Sequence, residues 1–303
     1  MAGLLTAYHV KDVSPVVFDR RYSVGKKCTG IISRSTFERL NVSKEFLDRE
    51  FKTIFLHYKN KVIEIRTNVV RLNRVNLEKY LSENVSLRLK SDAKIVNESA
   101  VICNGEKIEG LVINASGWKG DAKWVKAIEY LTEPIDSEAI EVFFDDRNKA
   151  GFSWIVPLPY GTLIGAMGYK SPENFIPEIN KKIIEKHGGG IPRPKPTYVR
   201  RGIGDVLGLI KIFTGGGIFS ISEILPSIKK IVYEGDENEH REKFKKLSKE
   251  IRKQHNILSL TEKVWSLALK FGFTVFNGKT IYANEEFDLH SLFVRRSLTP
   301  ISY

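Results

Sequence analysis

The chain has little of what marks several common protein classes. Cysteine is scarce: Cys28 and Cys103 are the two among 303 residues. That excludes a disulfide framework and makes a reducing, cytoplasmic setting the default expectation. The six histidines show no metal-ligand spacing, so no metal site is expected. No apolar run reaches the length that spans a bilayer, and no signal peptide is visible. Internal repeats are absent, which argues against solenoids and propellers. Basic residues are not interleaved with aromatics, so nucleic acid is not an expected partner.

What is present is an ordinary globular composition, 42% hydrophobic and 28% charged. The length suits one large domain or a few intimately packed ones. The net charge of +12 favours anionic partners such as a lipid surface or a phosphorylated substrate. The densest charge run, Lys243 to Lys253, alternates in sign and reads as a solvated helix face.

One stretch organises the rest. Gly204-Asp205-Val206-Leu207-Gly208 reads as a strand end and turn, and Thr214-Gly215-Gly216-Gly217-Ile218 as a glycine loop opening a helix. Glycines let backbone approach a flat or anionic ligand, because no Cβ intervenes. A helix starting at Gly217 aims free N–H groups at that ligand. Asp205 is placed to accept hydrogen bonds from ligand hydroxyls.

Before it, residues 2–10 read as the first turns of a helix, and Val16-Val17-Phe18-Asp19 as a buried strand ending in an acid. A strand, glycine turn, helix, strand and acid are how dinucleotides are gripped. Here the first strand and the first two glycines of that fingerprint are absent, and only Gly3 stands in its place. The expectation is a reading frame opening upstream of Met1, or a paralogue that has lost the strand.

Arg34 to Leu40 reads as a short helix, and residues 53–66 as a hairpin around Lys59-Asn60-Lys61. Arg74 starts a helix capped by Asn73 and running to about Glu83. Short strands follow at 86–89 and 94–97, then a hairpin over 100–108 turning at Asn104-Gly105. Residues 111–117 read as a buried strand ending in small residues. Residues 139–144, 152–157 and 162–169 form an antiparallel sheet, expected to wall a substrate chamber. Pro177 to His187 reads as a helix stopped by Gly188-Gly189-Gly190, and Ile191 to Pro196 as a stiff linker. From Glu237 the chain is helical to about Gly272, then a hairpin at Asn277-Gly278 and a polar end from Phe287 to Tyr303.

In this order the segments resemble flavin-dependent oxidoreductases of the para-hydroxybenzoate hydroxylase fold. More narrowly, they resemble the archaeal geranylgeranyl reductase family, including the digeranylgeranylglycerophospholipid reductases. The likeness runs from Ala2 to about Gly235. It implies an α/β chain with a Rossmann-like FAD-binding domain (1–120 and 195–236, with a hairpin insertion at about 51–66). An antiparallel substrate domain (121–194) and a helical C-terminal region (237–303) complete it.

By position the resemblance assigns FAD contacts to Ala2, to Asp19 at the adenosine ribose, and to Cys28, Thr29 and Gly30 beside the flavin ring. It adds Arg74, Ala93 near the adenine, Asp205 at the ribityl chain, and Gly217 and Ile218 under the pyrimidine ring. Phe152, Trp154 and Pro157 match the strand lining the prenyl pocket. Departures are Asn114 for Asp, Val206-Leu207 for two alanines, Ile31 for Gly, Val156 for Phe, and Pro226 inside a helix. These and the missing glycines weaken the expected grip on FAD.

The implied activity is reduction of C=C bonds in prenyl chains, with a proton from Cys28 or water. The implied partners are a prenyl lipid or diphosphate, an external electron donor and a peripheral membrane surface. The alternatives are a flavin monooxygenase or halogenase, and a non-catalytic remnant.

Overall fold

The computed structural model describes residues 1–283; the expected polar end lies outside the described residues. The fold is mixed α/β. Helix α1 (Ala2–His9) leads into β1 (Val16–Phe18), as expected, but β1 is not buried: Val16 is exposed and Val17 and Phe18 are half-buried. Strand β2 (Ile31–Ser33) runs directly into α2 (Arg34–Leu40), where Ser33 caps the helix by accepting from the Thr36 N–H. The expected hairpin is longer than its alternating pattern suggests: β3 is Leu47–Tyr58 and β4 is Lys61–Leu72. Helix α3 (Arg74–Glu83) begins where Asn73 Oδ1 accepts from the Asn76 N–H, so the sequence reading of that cap holds.

Strand β5 (Ser86–Arg88) pairs in parallel with β1. Strands β6 (Lys94–Asn97), β7 (Ala100–Cys103) and β8 (Glu106–Glu109) form a separate meander turning at Asn104-Gly105. The remaining strands are β9 (Lys123–Thr132), β10 (Ile140–Phe144), β11 (Phe152–Leu158), β12 (Gly161–Gly168) and β13 (Ile183–Arg193). Helices α4 (Ile218–Glu234), α5 (Asn238–Lys263) and α6 (Trp265–Phe276) follow, and then β14 (Thr280–Ala283).

One nine-stranded sheet dominates, in the order β13-β9-β12-β11-β10-β3-β4-β14, with β2 also on β4. The hairpin expected as an insertion belongs to this sheet, towards its β14 edge, and the sheet draws strands from both sides of residue 120. Strand side chains alternate between faces. The inner face carries Ile54, Leu56, Tyr58 and Trp154, all buried. Phe273 of α6 packs on Tyr58 and Phe144 there, with ring centroids 5.3 and 5.8 Å apart.

Four local expectations are corrected. Residues 183–187 are not helical but open β13, and Gly188 to Gly190 continue it rather than stopping a helix. The lysine- and isoleucine-rich run fits either period, and pairing along β9 decides it. A Cβ on Gly188 would fall 2.7 Å from the Ala127 carbonyl, so glycine there admits the neighbouring strand. Residues 191–193 are the end of this edge strand, where Pro192 is tolerated, and not linker.

Residues 111–117 make one parallel bridge, Asn114 to Gly202, instead of a strand, and Leu111 is exposed. A parallel ladder needs neighbours on both sides to bury it, and this segment has a bridge on one. Asn277-Gly278 is a turn, but it feeds β14 into parallel pairing with β4, because a helix and not a strand precedes it. The Gly204 stretch is a single 3₁₀ turn over Gly204–Leu207. Helix α4 opens after Gly217, as expected, and runs through Pro226, which leaves the Ser222 carbonyl without its intrahelical donor.

Candidate active site

The Cys28-Thr29-Gly30 loop is fixed from below. Gly30 has φ +73°, and a Cβ there would fall 2.4 Å from the Leu72 carbonyl oxygen. The Leu72 N–H donates to the Gly30 carbonyl at 2.9 Å. Arg71 donates from Nε to the Thr29 carbonyl at 3.3 Å and is itself bonded to Asp48. Further back, Glu78 accepts from the Gly25 and Lys26 amides at 3.0 and 3.2 Å. Arg74 donates to the other Glu78 oxygen at 2.8 Å. Burial alone would raise the Glu78 pKa. The amino group of Met1, Arg74 and the Lys26 amide outweigh burial and hold it at about 2. Burial works against the Arg74 charge, but Cys28 and Glu78 beside it keep its pKa above the ordinary value. Arg74 is thus a neighbour of both Glu78 and Cys28.

A second group converges from the other half of the chain. Gly204 has φ +78°, and a Cβ there would meet Ala2 Cβ at 2.9 Å. A Cβ on Gly217 would sit 2.8 Å from Asp205 Oδ1. Helix α4 has no side-chain cap at that end, so its first amides point out beside the Asp205 carboxylate. The structure brings Ala2, Asp205, Gly217 and Ile218 together. Gly215, in the same loop, lies against Ile191 of β13, with an added Cβ 3.0 Å from it.

Between these groups runs the inner face of the sheet. Trp154, Gly165, Glu129 and His187 stand side by side on β11, β12, β9 and β13. The indole of Trp154 lies on Gly165, where a Cβ would be 2.5 Å from Cζ2. Its Nε1 donates to Glu129 Oε2 at 2.7 Å, and the Thr29 hydroxyl donates to the same oxygen. Glu129 Oε1 lies 3.0 Å from His187 Nε2. The approach lacks hydrogen-bond alignment, so that oxygen is buried without a donor. Two residues along β13, Gly189 has nothing within 4 Å of where its Cβ would stand. This open floor lies between His187 and Ile191.

Sequence reasoning missed Glu129 and His187. The signal for Glu129 was a charge in phase with Val125, Ala127 and Leu131, the inward positions of β9. His187 was hidden by the helical reading of its segment.

Other expected residues fall elsewhere. Asp19 ends β1, but Arg21 grips its carboxylate through Nε at 3.0 Å and Nη2 at 2.7 Å. Burial works against the ionised form, yet those bonds hold its pKa below the ordinary value. Ala93 lines a cleft of about 1280 Å³ with Asn114, Lys123, Arg193 and Lys195. Phe152 and Trp154 share the inner face, their rings 5.7 Å apart. Pro157 does not join them: alternation puts it on the opposite face, beyond the residues of β11 that pair with β10.

These residues fit one end of FAD better than the other. The uncapped α4 terminus, Asp205 and the Gly189 floor suit a flat ring with a hydroxylated tail. At the adenosine end, Asp19 is occupied by Arg21, and the start of α1 faces Glu78.

No family model matches the sequence, and no curated protein matches it. Solved structures do share the fold. A geranylgeranyl bacteriochlorophyll reductase-like protein from Thermoplasma acidophilum aligns over 98% of this chain and 92% of its own, at 14% identity and TM-score 0.71. A probable FAD-dependent monooxygenase from Pseudomonas aeruginosa aligns over 85% and 90%, at 10% identity and TM-score 0.63. A tryptophan 6-halogenase from Streptomyces toxytricini aligns over 83% and 74%, at 13% identity and TM-score 0.60. The chain therefore has the fold shared by these FAD-dependent oxidoreductases and halogenases.

Proposed function

We propose that this chain is a flavin-dependent reductase acting on the C=C bonds of prenyl chains. The observation that carries the reading is Asp205 set against Gly217 at the uncapped start of α4, in the loop whose Gly215 meets Ile191 of β13. Bound FAD, once reduced, supplies hydride. Asp205 would hold the hydroxyls of its sugar-alcohol tail, and the free α4 amides would stabilise negative charge on the reduced ring. Phe152 and Trp154 pack the prenyl chain and keep water away. Cys28, beside Arg74, or a water is placed to hand over a proton. The basic cleft around Lys123, Arg193 and Lys195 takes the phosphate of a prenyl diphosphate or lipid head group. An external electron donor and a peripheral membrane surface complete the proposal.

The test is anaerobic turnover with FAD and a prenyl diphosphate, with product mass as readout. Saturation by two hydrogens per bond supports the reading. Oxygen or halogen incorporation favours the second reading, a monooxygenase or halogenase, which the Pseudomonas and Streptomyces neighbours support. Undiminished turnover by Cys28→Ala with FAD bound removes Cys28 as donor.

A further inference from the structure

We propose that Glu185, His187 and Glu129 form a proton relay from the surface to the inner face of the sheet. The imidazole of His187 stands between two carboxylates. Its Nδ1 lies 3.7 Å from Glu185 Oε1, and its Nε2 lies 3.0 Å from Glu129 Oε1. Exposure falls stepwise along the row: 37% for the Glu185 side chain, 19% for His187 and 4% for Glu129. The outer end is fixed by Lys27, which pairs with Glu185. The inner end is fixed by Trp154 and Thr29, which both donate to Glu129 Oε2.

That arrangement leaves Glu129 Oε1 and both imidazole nitrogens free of hydrogen bonds inside the fold. Buried polar atoms are rarely left so, since each costs roughly 1–3 kcal/mol. An imidazole with an acid on each side can take a proton at one nitrogen and release one at the other. Among the described residues, the charged group set against the row from another element is Lys27, on Glu185, and β11 contributes Trp154, which does not titrate.

The proposal rests on the reductase reading and completes its proton balance. A hydride adds to one carbon of the double bond. The π pair then takes a proton at the other carbon, released from Glu129 with its O–H electrons returning to the carboxylate. His187 reprotonates Glu129 and is itself reprotonated through Glu185 from water. In this relay Glu129 and His187 supply the proton for which the reductase reading otherwise looks to Cys28 or a water.

Two measurements test this. The first needs no cofactor: tryptophan emission of the purified protein is compared between wild type and His187→Gln, each with and without Trp154→Phe. A shift on His187→Gln that vanishes in the Trp154→Phe background is expected, because His187 reaches Trp154 through Glu129. An unshifted emission in His187→Gln overturns the relay. The second is turnover by the FAD-loaded enzyme. His187→Ala is expected to lower kcat by about 100-fold or more, with KM little changed. Added imidazole is expected to restore part of that loss, because His187 stands on an edge strand beside Gly188 and Gly189. Loss of turnover without rescue, in a variant of wild-type melting temperature and FAD uptake, refutes the relay. Should the emission shift appear while the wild type takes up no FAD, the reductase reading fails while the proton connection stands.

Discussion

Replacing Glu78 by Gln should destabilise the protein by about 3 kcal/mol near neutral pH. Glu78 is fully buried, and its carboxylate meets Arg74 at 2.8 Å and Arg21 at 3.5 Å. Its pKa falls from 4.5 to about 2 on folding, and ~2.5 units at 1.36 kcal/mol each gives roughly 3 kcal/mol. Breaking a buried ion pair typically costs about 3–5 kcal/mol, which agrees. The folded state binds fewer protons at Glu78 than the unfolded state does. The stabilisation is therefore complete above pH 4.5 and is lost as pH falls towards 2. For 303 residues, with an unfolding entropy near 2.1 cal/mol/K each, the melting temperature should drop by about 5 °C at pH 7. The difference from wild type should shrink steadily below pH 4.5.

The same change should loosen the Cys28 loop, because Glu78 accepts from the Gly25 and Lys26 amides. Maleimide labelling of Cys28 should accelerate while buried Cys103 stays silent. A melting shift under 1 °C, or one that does not vary with pH, would refute this account of what holds the loop.

Three further outcomes follow from close approaches. Gly217→Ala puts a methyl 2.8 Å from Asp205 Oδ1 at a backbone angle any residue accepts, so it should displace the carboxylate. FAD affinity, read by flavin fluorescence, should fall about tenfold or more, the loss of one charge-assisted hydrogen bond; unchanged affinity would detach Asp205 from the ring site. Gly165→Ala overfills the space under the Trp154 indole, at 2.5 Å, and should cost about 1–3 kcal/mol with a shift in tryptophan emission. An unshifted spectrum would count against the Trp154 position. Arg21→Ala releases the Asp19 carboxylate and should strengthen FAD binding about tenfold while leaving FMN binding unchanged. An equal change for both flavins would show that Asp19 does not meet the adenosine ribose.

Local signals carried much of the fold. The Asn73 cap, the Lys59-Asn60 turn and the helix start after Gly217 depend on a few neighbouring residues, and all three are where the sequence places them. The misreadings fall where distant pairing decides. The run from Lys181 to His187 has a period that suits a helix, and only its partner β9 makes it a strand. The site divides the same way. Asp205, Gly217 and the Cys28 loop carry recognisable glycine spacing. Glu129 and His187 become neighbours through the register of β9 and β13, across 58 residues of chain (187 − 129) that no local pattern spans. Pro157 belonged to a recognisable motif, yet alternation along one strand turns it from the face that Trp154 occupies.

The central claim is that the Cys28 loop, Asp205 and the start of α4 close around one flavin ring above Gly189. Titration of the wild-type protein with FAD, followed by flavin fluorescence and repeated with Asp205→Asn, tests it most directly. One FAD per chain is expected, weakened about tenfold by the substitution. No uptake by the folded wild type, or uptake indifferent to Asp205, would contradict the account.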